Sequence, residues 1–164
     1  MDEKSILNSL NSKDNVVVVA AIKDIKKNGS SKLLTELLAI YTNTDNADII
    51  DSALDLLNDL HDQNCEKVIV DYLNSCNNDV KKKQVVSSCW QSAVNYSNSL
   101  TLFSNIFVEG NLETAIEAFS VIDNCVDQAT QENVLQVKEI IESNYNSMSV
   151  EKQGLADAIL DILK

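Results

Sequence analysis

The stretch Val16-Val17-Val18-Val19-Ala20-Ala21-Ile22-Lys23-Asp24-Ile25-Lys26-Lys27 decides the fold. Four successive β-branched residues fit a buried strand, since a branched Cβ suits a pleated, half-buried surface. The run passes without a break into Ala20, Ala21, Ile22 and Ile25, however, and these keep one face of a helical period. No partner strand is evident elsewhere in the chain, so the stretch reads as helix.

Working outward, apolar residues recur at steps of three and four almost throughout, as in Leu33, Leu34, Leu37, Leu38 and Tyr41, or Val68, Ile69, Tyr72 and Leu73. There is no proline, and three glycines are too few to turn an antiparallel sheet. Helices joined by Asn, Asp and Ser loops are expected. Asn28-Gly29-Ser30 offers a left-handed C-cap, while Thr42 to Asn46, Asn77-Asn78-Asp79 and Glu109-Gly110-Asn111 are turns. Thr130 with Glu132, and Ser149 with Glu151, carry the oxygen and first-turn acid of a helix start.

A period then emerges. Ala21, Ile22 and Ile25 return 32 positions later as Ala53, Leu54 and Leu57, and Leu37, Leu38 and Tyr41 return at the same offset as Ile69, Val70 and Leu73. A third copy carries Val85, Val86 and Cys89 followed by Leu102, Phe103, Ile106 and Phe107. A fourth carries Ala115, Ile116, Phe119 and Ile122 followed by Val134, Leu135, Val137, Ile140 and Ile141. Both later copies need insertions to align. The expected fold is all-α, an α-α superhelix in one domain over 1–164, with hairpins at about 14–46, 47–78, 79–111 and 112–148 and a closing helix over 150–163. Each hairpin alone exposes an apolar face, and stacking creates the core.

Paired helices with the patterns AAIKDIKK…SKLLTELLAIY and SALDLLNDL…EKVIVDYL resemble HEAT/armadillo-type repeats over about residues 14–148. The chain departs from the HEAT pattern in lacking a proline in the first helix and an arginine in the second. The resemblance implies that second helices of successive hairpins line a concave face that takes a peptide or partner helix. Carried to this chain, its polar positions are Lys32, Thr35, Glu36, Lys67, Asp71, Ser104, Asn105, Gln136 and Glu139. Ordinary solvent exposure explains the same residues.

Composition bounds the partner. The formal charge is −12, from 25 acids against 13 basic residues, every one a lysine. Nucleic-acid binding needs a positive surface, and anionic lipid needs the same, so neither is expected. A basic protein or peptide partner suits the charge, although a solvated acidic surface explains it equally well. No apolar run approaches the ~20 residues that cross a bilayer, and the N-terminus lacks a secretory layout. A cytoplasmic chain is expected.

Chemistry is sparse. With His61 as the sole imidazole, any Ser-His or Cys-His scheme must use it, and its setting beside Asp59 and Asp62 at a helix end reads as a C-terminal cap. Cys65, Cys76, Cys89 and Cys125 are too widely spaced for a zinc cluster or redox pair and read as core thiols. Asp45, Asp48 and Asp51 lack the glycine and terminal glutamate of a calcium loop. No cofactor is expected. Lys81-Lys82-Lys83 reads as a solvated face of a helix, with docking of an acidic segment as the alternative. Trp90 follows the periodic Val86 and Cys89, which favours a core position with its ring spanning two hairpins; the alternative is that Trp90, Gln91 and Tyr96 form an aromatic docking surface.

The reading is therefore a non-catalytic protein-interaction scaffold. A ligand-binding or enzyme domain with a cleft between hairpins, and a self-assembling structural unit, are the alternatives.

Overall fold

The computed structural model describes residues 2–28 and 31–164, the side chains of 27 and 28 excepted. Those residues form α1 (Glu3–Leu10), α2 (Asn15–Asn28), α3 (Ser31–Asn43), α4 (Ala47–Asn58), α5 (Cys65–Ser75), α6 (Asp79–Gln91), α7 (Leu100–Glu109), α8 (Leu112–Cys125), α9 (Gln131–Asn144) and α10 (Val150–Ile162), with no strand among them. The valine run lies inside α2, as its continuation into a helical stripe required. The expected glycine cap at Gly29 and Ser30 falls outside the described residues.

The helices pack in two rows. α2, α4, α6, α8 and α10 each touch the next in one row, and α1, α3 and α5 follow one another in the second, where α7 packs on α9. A helix before the first hairpin, α1, was not anticipated. Its eight residues carry only Ile6, Leu7 and Leu10 as apolar groups, too short a pattern to stand alone. It forms because Asp2 accepts from the Ser5 amide at 2.7 Å and because Ile6 and Leu10 are buried as α1 packs on α2 and α3.

The first-row helices α4, α6, α8 and α10 start alike. Asn46, Asn78 and Asn111 each accept a hydrogen bond from the amide three residues on, at 3.1, 3.0 and 2.9 Å, and Ser149 does so at 3.4 Å. Each satisfies one of the orphan donors of a helix start. The core is continuous, running from Ile6 to Ile159 through Leu37, Tyr41, Leu57, Val86, Phe103, Phe107 and Ile122. All four cysteines are buried and unpaired.

α5 and α7 do not follow this close packing, because residues 92–99 intervene as a loop and a single 3-10 turn over Ser97–Ser99. This is the insertion that the third repeat required. The segment is held by hydrogen bonds. The Ala93 amide donates to Leu60 O at 2.8 Å, and Gln63 takes both main-chain groups of Asn95, accepting from its N–H at 2.9 Å and donating to its carbonyl at 2.6 Å. Asn95 Nδ2 then donates to Gln128 Oε1 at 2.8 Å. Gln63, Asn95 and Gln128 thus form a ladder across three repeats with steps of 32 and 33 residues, the sequence period expressed in side chains.

Candidate functional site

A cleft of about 780 Å³ lies between α3 and α5. Small and polar residues create it. Thr35, Ala39 and Thr42 fall at helical spacing along α3, and none fills the space that a leucine would take. Val68, Asp71, Tyr72 and Ser75 form the α5 wall, and Cys76, Asn77 and Asn78 close one end.

The polar groups of the cleft are tied to the framework. The Thr42 hydroxyl lies 2.8 Å from Leu38 O and 3.1 Å from the Tyr72 hydroxyl. Cys76 Sγ lies 3.4 Å from the same phenol. Burial and the neighbouring thiol hold the Tyr72 proton more tightly than in an ordinary tyrosine, so Tyr72 faces the cleft as a neutral hydroxyl. Asp71 accepts from Lys67 at 3.1 Å on the exposed rim. Leu38, Ala39 and Val68 supply the apolar part of the lining.

Of the anticipated face, Thr35 and Asp71 line this cleft and Lys67 reaches its rim. Lys32, Glu36, Asn105, Gln136 and Glu139 are exposed but lie outside it. Ser104 requires correction. It is wholly buried in α7, and its hydroxyl donates to Leu100 O at 2.8 Å, a back-bond that satisfies the polar group without solvent. Tyr96 also requires correction: it is buried, edge-on to Phe103 at 5.4 Å between ring centroids.

Trp90 is 38% exposed, not enclosed in the core. It sits at the edge of the α6 stripe, where its indole N–H finds Glu117 Oε2 at 2.6 Å and its carbonyl accepts from Asn124 at 3.0 Å. Gln91 is exposed and donates within its own helix to Ser87 O at 3.2 Å. The lysine run is not a uniform solvated face either. Lys81 is buried, with its ammonium 3.2 Å from Thr44 O, whereas Lys83 reaches Glu113.

Ala39, Thr42, Tyr72 and Ser75 were missed as cleft residues. The available signal was the helical spacing of Thr35, Ala39 and Thr42, a narrow line of small residues beside the leucine stripe. His61 is exposed with Nδ1 3.1 Å from Asp59 O, in keeping with a group at the end of α4. Among the described residues, no set of three or more His, Cys, Asp or Glu side chains is placed to hold a metal ion. No described helix is long and apolar enough to cross a membrane.

Two stacked rows of helices around a continuous core define an all-α solenoid of the HEAT/armadillo type. No family model matches the chain, and no curated protein matches it. Among solved structures it is similar to a designed armadillo repeat protein, at a TM-score of 0.54 and 17% identity over 97% of this chain and 81% of that one. The likeness is one of fold.

Proposed function

We propose that residues 1–164 act as one protein-interaction scaffold without catalysis of their own, and that the cleft between α3 and α5 receives a peptide segment of the partner. The single observation that carries this is the cleft itself, which joins an apolar wall to fixed hydrogen-bonding groups, the composition of a recognition site. Leu38, Ala39 and Val68 suit a small aliphatic side chain, and Thr35, Asp71 and Tyr72 suit the polar groups beside it. The formal charge of −12 favours a partner with basic flanks and disfavours nucleic acid. Four buried, unpaired thiols support a reducing, cytoplasmic setting.

The test is a selection of random peptides against the full chain, followed by binding to Ala39→Trp, which fills the cleft. Selected peptides should lose at least roughly tenfold in affinity for Ala39→Trp, about 1.4 kcal/mol. The same peptides should keep their affinity for Trp90→Ala. A selection that yields peptides indifferent to Ala39→Trp would reject the cleft as the docking site.

A further inference from the structure

The cleft between α3 and α5 is closed at one end by Cys76, Asn77 and Asn78. Both of its walls are helices that finish there, α3 at Asn43 and α5 at Ser75, so the negative ends of two helix dipoles meet at the closed end. Neither helix has a basic residue in its last turn, and no lysine lines the cleft. Two lysines stand close by, and both are engaged: Lys67 with Asp71 on the rim and Lys81 with Thr44 O.

Most side-chain hydrogens of the closed end are spent within the framework. The Thr42 hydroxyl donates to Leu38 O at 2.8 Å, which leaves its oxygen to accept from the Tyr72 hydroxyl at 3.1 Å. Ser75 donates to Tyr72 O at 3.1 Å, and Asn43 Nδ2 donates to Ala39 O at 2.8 Å. The Cys76 thiol has the Tyr72 hydroxyl and Asn78 O within 3.5 Å. What remains is mainly lone pairs, on Tyr72 Oη, Ser75 Oγ and Asn43 Oδ1, with the Asp71 carboxylate farther along the wall. Asn78 lends Oδ1 to the Lys81 amide and keeps its Nδ2 hydrogens.

We infer that the closed end binds the free N-terminus of the peptide, an inference that rests on the cleft being the peptide site. A protonated α-amino group carries hydrogens to donate and no acceptor, as a lysine ammonium does, and this complements oxygens without hydrogens and two helix C-termini. A terminal carboxylate would meet the same oxygens and dipoles with the wrong sign. A lysine side chain offers the same group, but the chain on either side of it must leave the cleft, and residues 76–78 wall off one direction. A chain that begins at the wall needs no second exit. Its first carbonyl then has the Asn78 amide as donor, and its first side chain has Leu38, Ala39 and Val68.

The test passes two libraries of short random synthetic peptides over the full chain, one with free amino termini and one N-acetylated, and measures recovered peptides by calorimetry. Peptides from the free library should bind roughly tenfold more weakly once acetylated or extended by residues before the first. Ser75→Lys, at an exposed position, should remove the preference for a free terminus by placing an amine at the closed end. Equal binding of free and acetylated peptides, with both still lost in Ala39→Trp, would overturn the inference and leave the cleft as the docking site. Acetylated peptides that regain full affinity through an internal lysine would overturn it in favour of a side-chain ammonium. Binding of every peptide undiminished in Ala39→Trp would overturn the cleft as docking site and the terminal contact together.

Discussion

The Lys81 ammonium lies over the face of the Tyr41 ring, 4.4 Å from its centroid. It also donates to Thr44 O at 3.2 Å, just past the end of α3. Lys152 repeats the arrangement two hairpins later, 5.6 Å from the Phe107 centroid, with Val108 O and Gly110 O at 2.7 and 2.9 Å. Both lysines occupy the third position of a first-row helix, a place held by Ile49 in α4 and Thr114 in α8. At the repeat position of Tyr41 and Phe107, α5 has Leu73. Ring and amine thus occur together, and the amine satisfies carbonyls that the second helix leaves open at its C-terminus.

Removing either amine should destabilise the stack. Lys81→Met keeps the aliphatic stem but strips Thr44 O of its donor, for an expected loss of about 1–3 kcal/mol by urea denaturation. Lys152→Met, which strips two carbonyls, should lose at least as much. Thr114→Lys should give no gain, because Leu73 offers no ring. Equal stability of all three variants and the parent would dismiss the clamp.

The two described glycines should respond oppositely to alanine. A Cβ on Gly110 would come within 2.8 Å of Ile106 O and 2.9 Å of Thr114 Cβ, so Gly110→Ala should cost about 1–3 kcal/mol by overpacking. A Cβ on Gly154 meets nothing within 4 Å and lies inside α10. Gly154→Ala should therefore raise stability by about 0.5–1 kcal/mol. Thermal melts of both variants supply the check.

Stability should fall in alkali. Burial pushes the Cys89 thiol from 9.0 up to about 12 and raises the Tyr41, Tyr72 and Tyr96 phenols above their ordinary 10.0. Above pH 9 the unfolded chain therefore loses protons that the folded chain keeps, and each such group removes about 1.4 kcal/mol per pH unit across its window. Burial lowers Lys81 and Lys152 below 10.5, which acts with the opposite sign until the unfolded lysines also deprotonate. Burial raises the Cys65 and Cys125 thiols as well, so the buried acids outnumber the two lysines and the net slope is downward. The melting temperature should drop steadily from pH 9 to 11, and less steeply in Tyr96→Phe; a flat profile over that range would count against the assignment.

The ladder of Gln63, Asn95 and Gln128 makes its own prediction. Gln63→Ala removes both side-chain bonds to the Asn95 main chain. A loss of roughly 1 kcal/mol is expected, together with faster hydrogen exchange at the Asn95 amide. Exchange at Ile122, deep in α8, should be slowed or quickened only in step with global stability.

Helices and their stacking were legible because apolar spacing is a local property. The valine run resolved as α2 once its continuation through Ile22 and Ile25 was followed, and the burial of the four cysteines followed from the stripes they join. Helix α1 was not legible, since its stability comes from packing on α2 and α3. Lys81 was read with its neighbours as part of a charge run, yet the third position of α6 points inward to a carbonyl 37 residues away, which no local pattern signals. Ser104 was misplaced because a hydroxyl bonded to its own helix is compatible with the core. The cleft was only half legible: Thr35 and Asp71 lay on the expected face, whereas its depth comes from Ala39, an absence of volume that sequence polarity does not register.

Amide shift mapping of a selected peptide on the labelled full chain is the most direct measurement of the proposed role. The expected result is a contiguous set of shifts at Thr35, Ala39, Thr42, Asp71 and Tyr72 that disappears in Ala39→Trp. Shifts gathered instead around Trp90 and Gln91, or along α9 at Gln136 and Glu139, with the cleft amides unmoved, would contradict it.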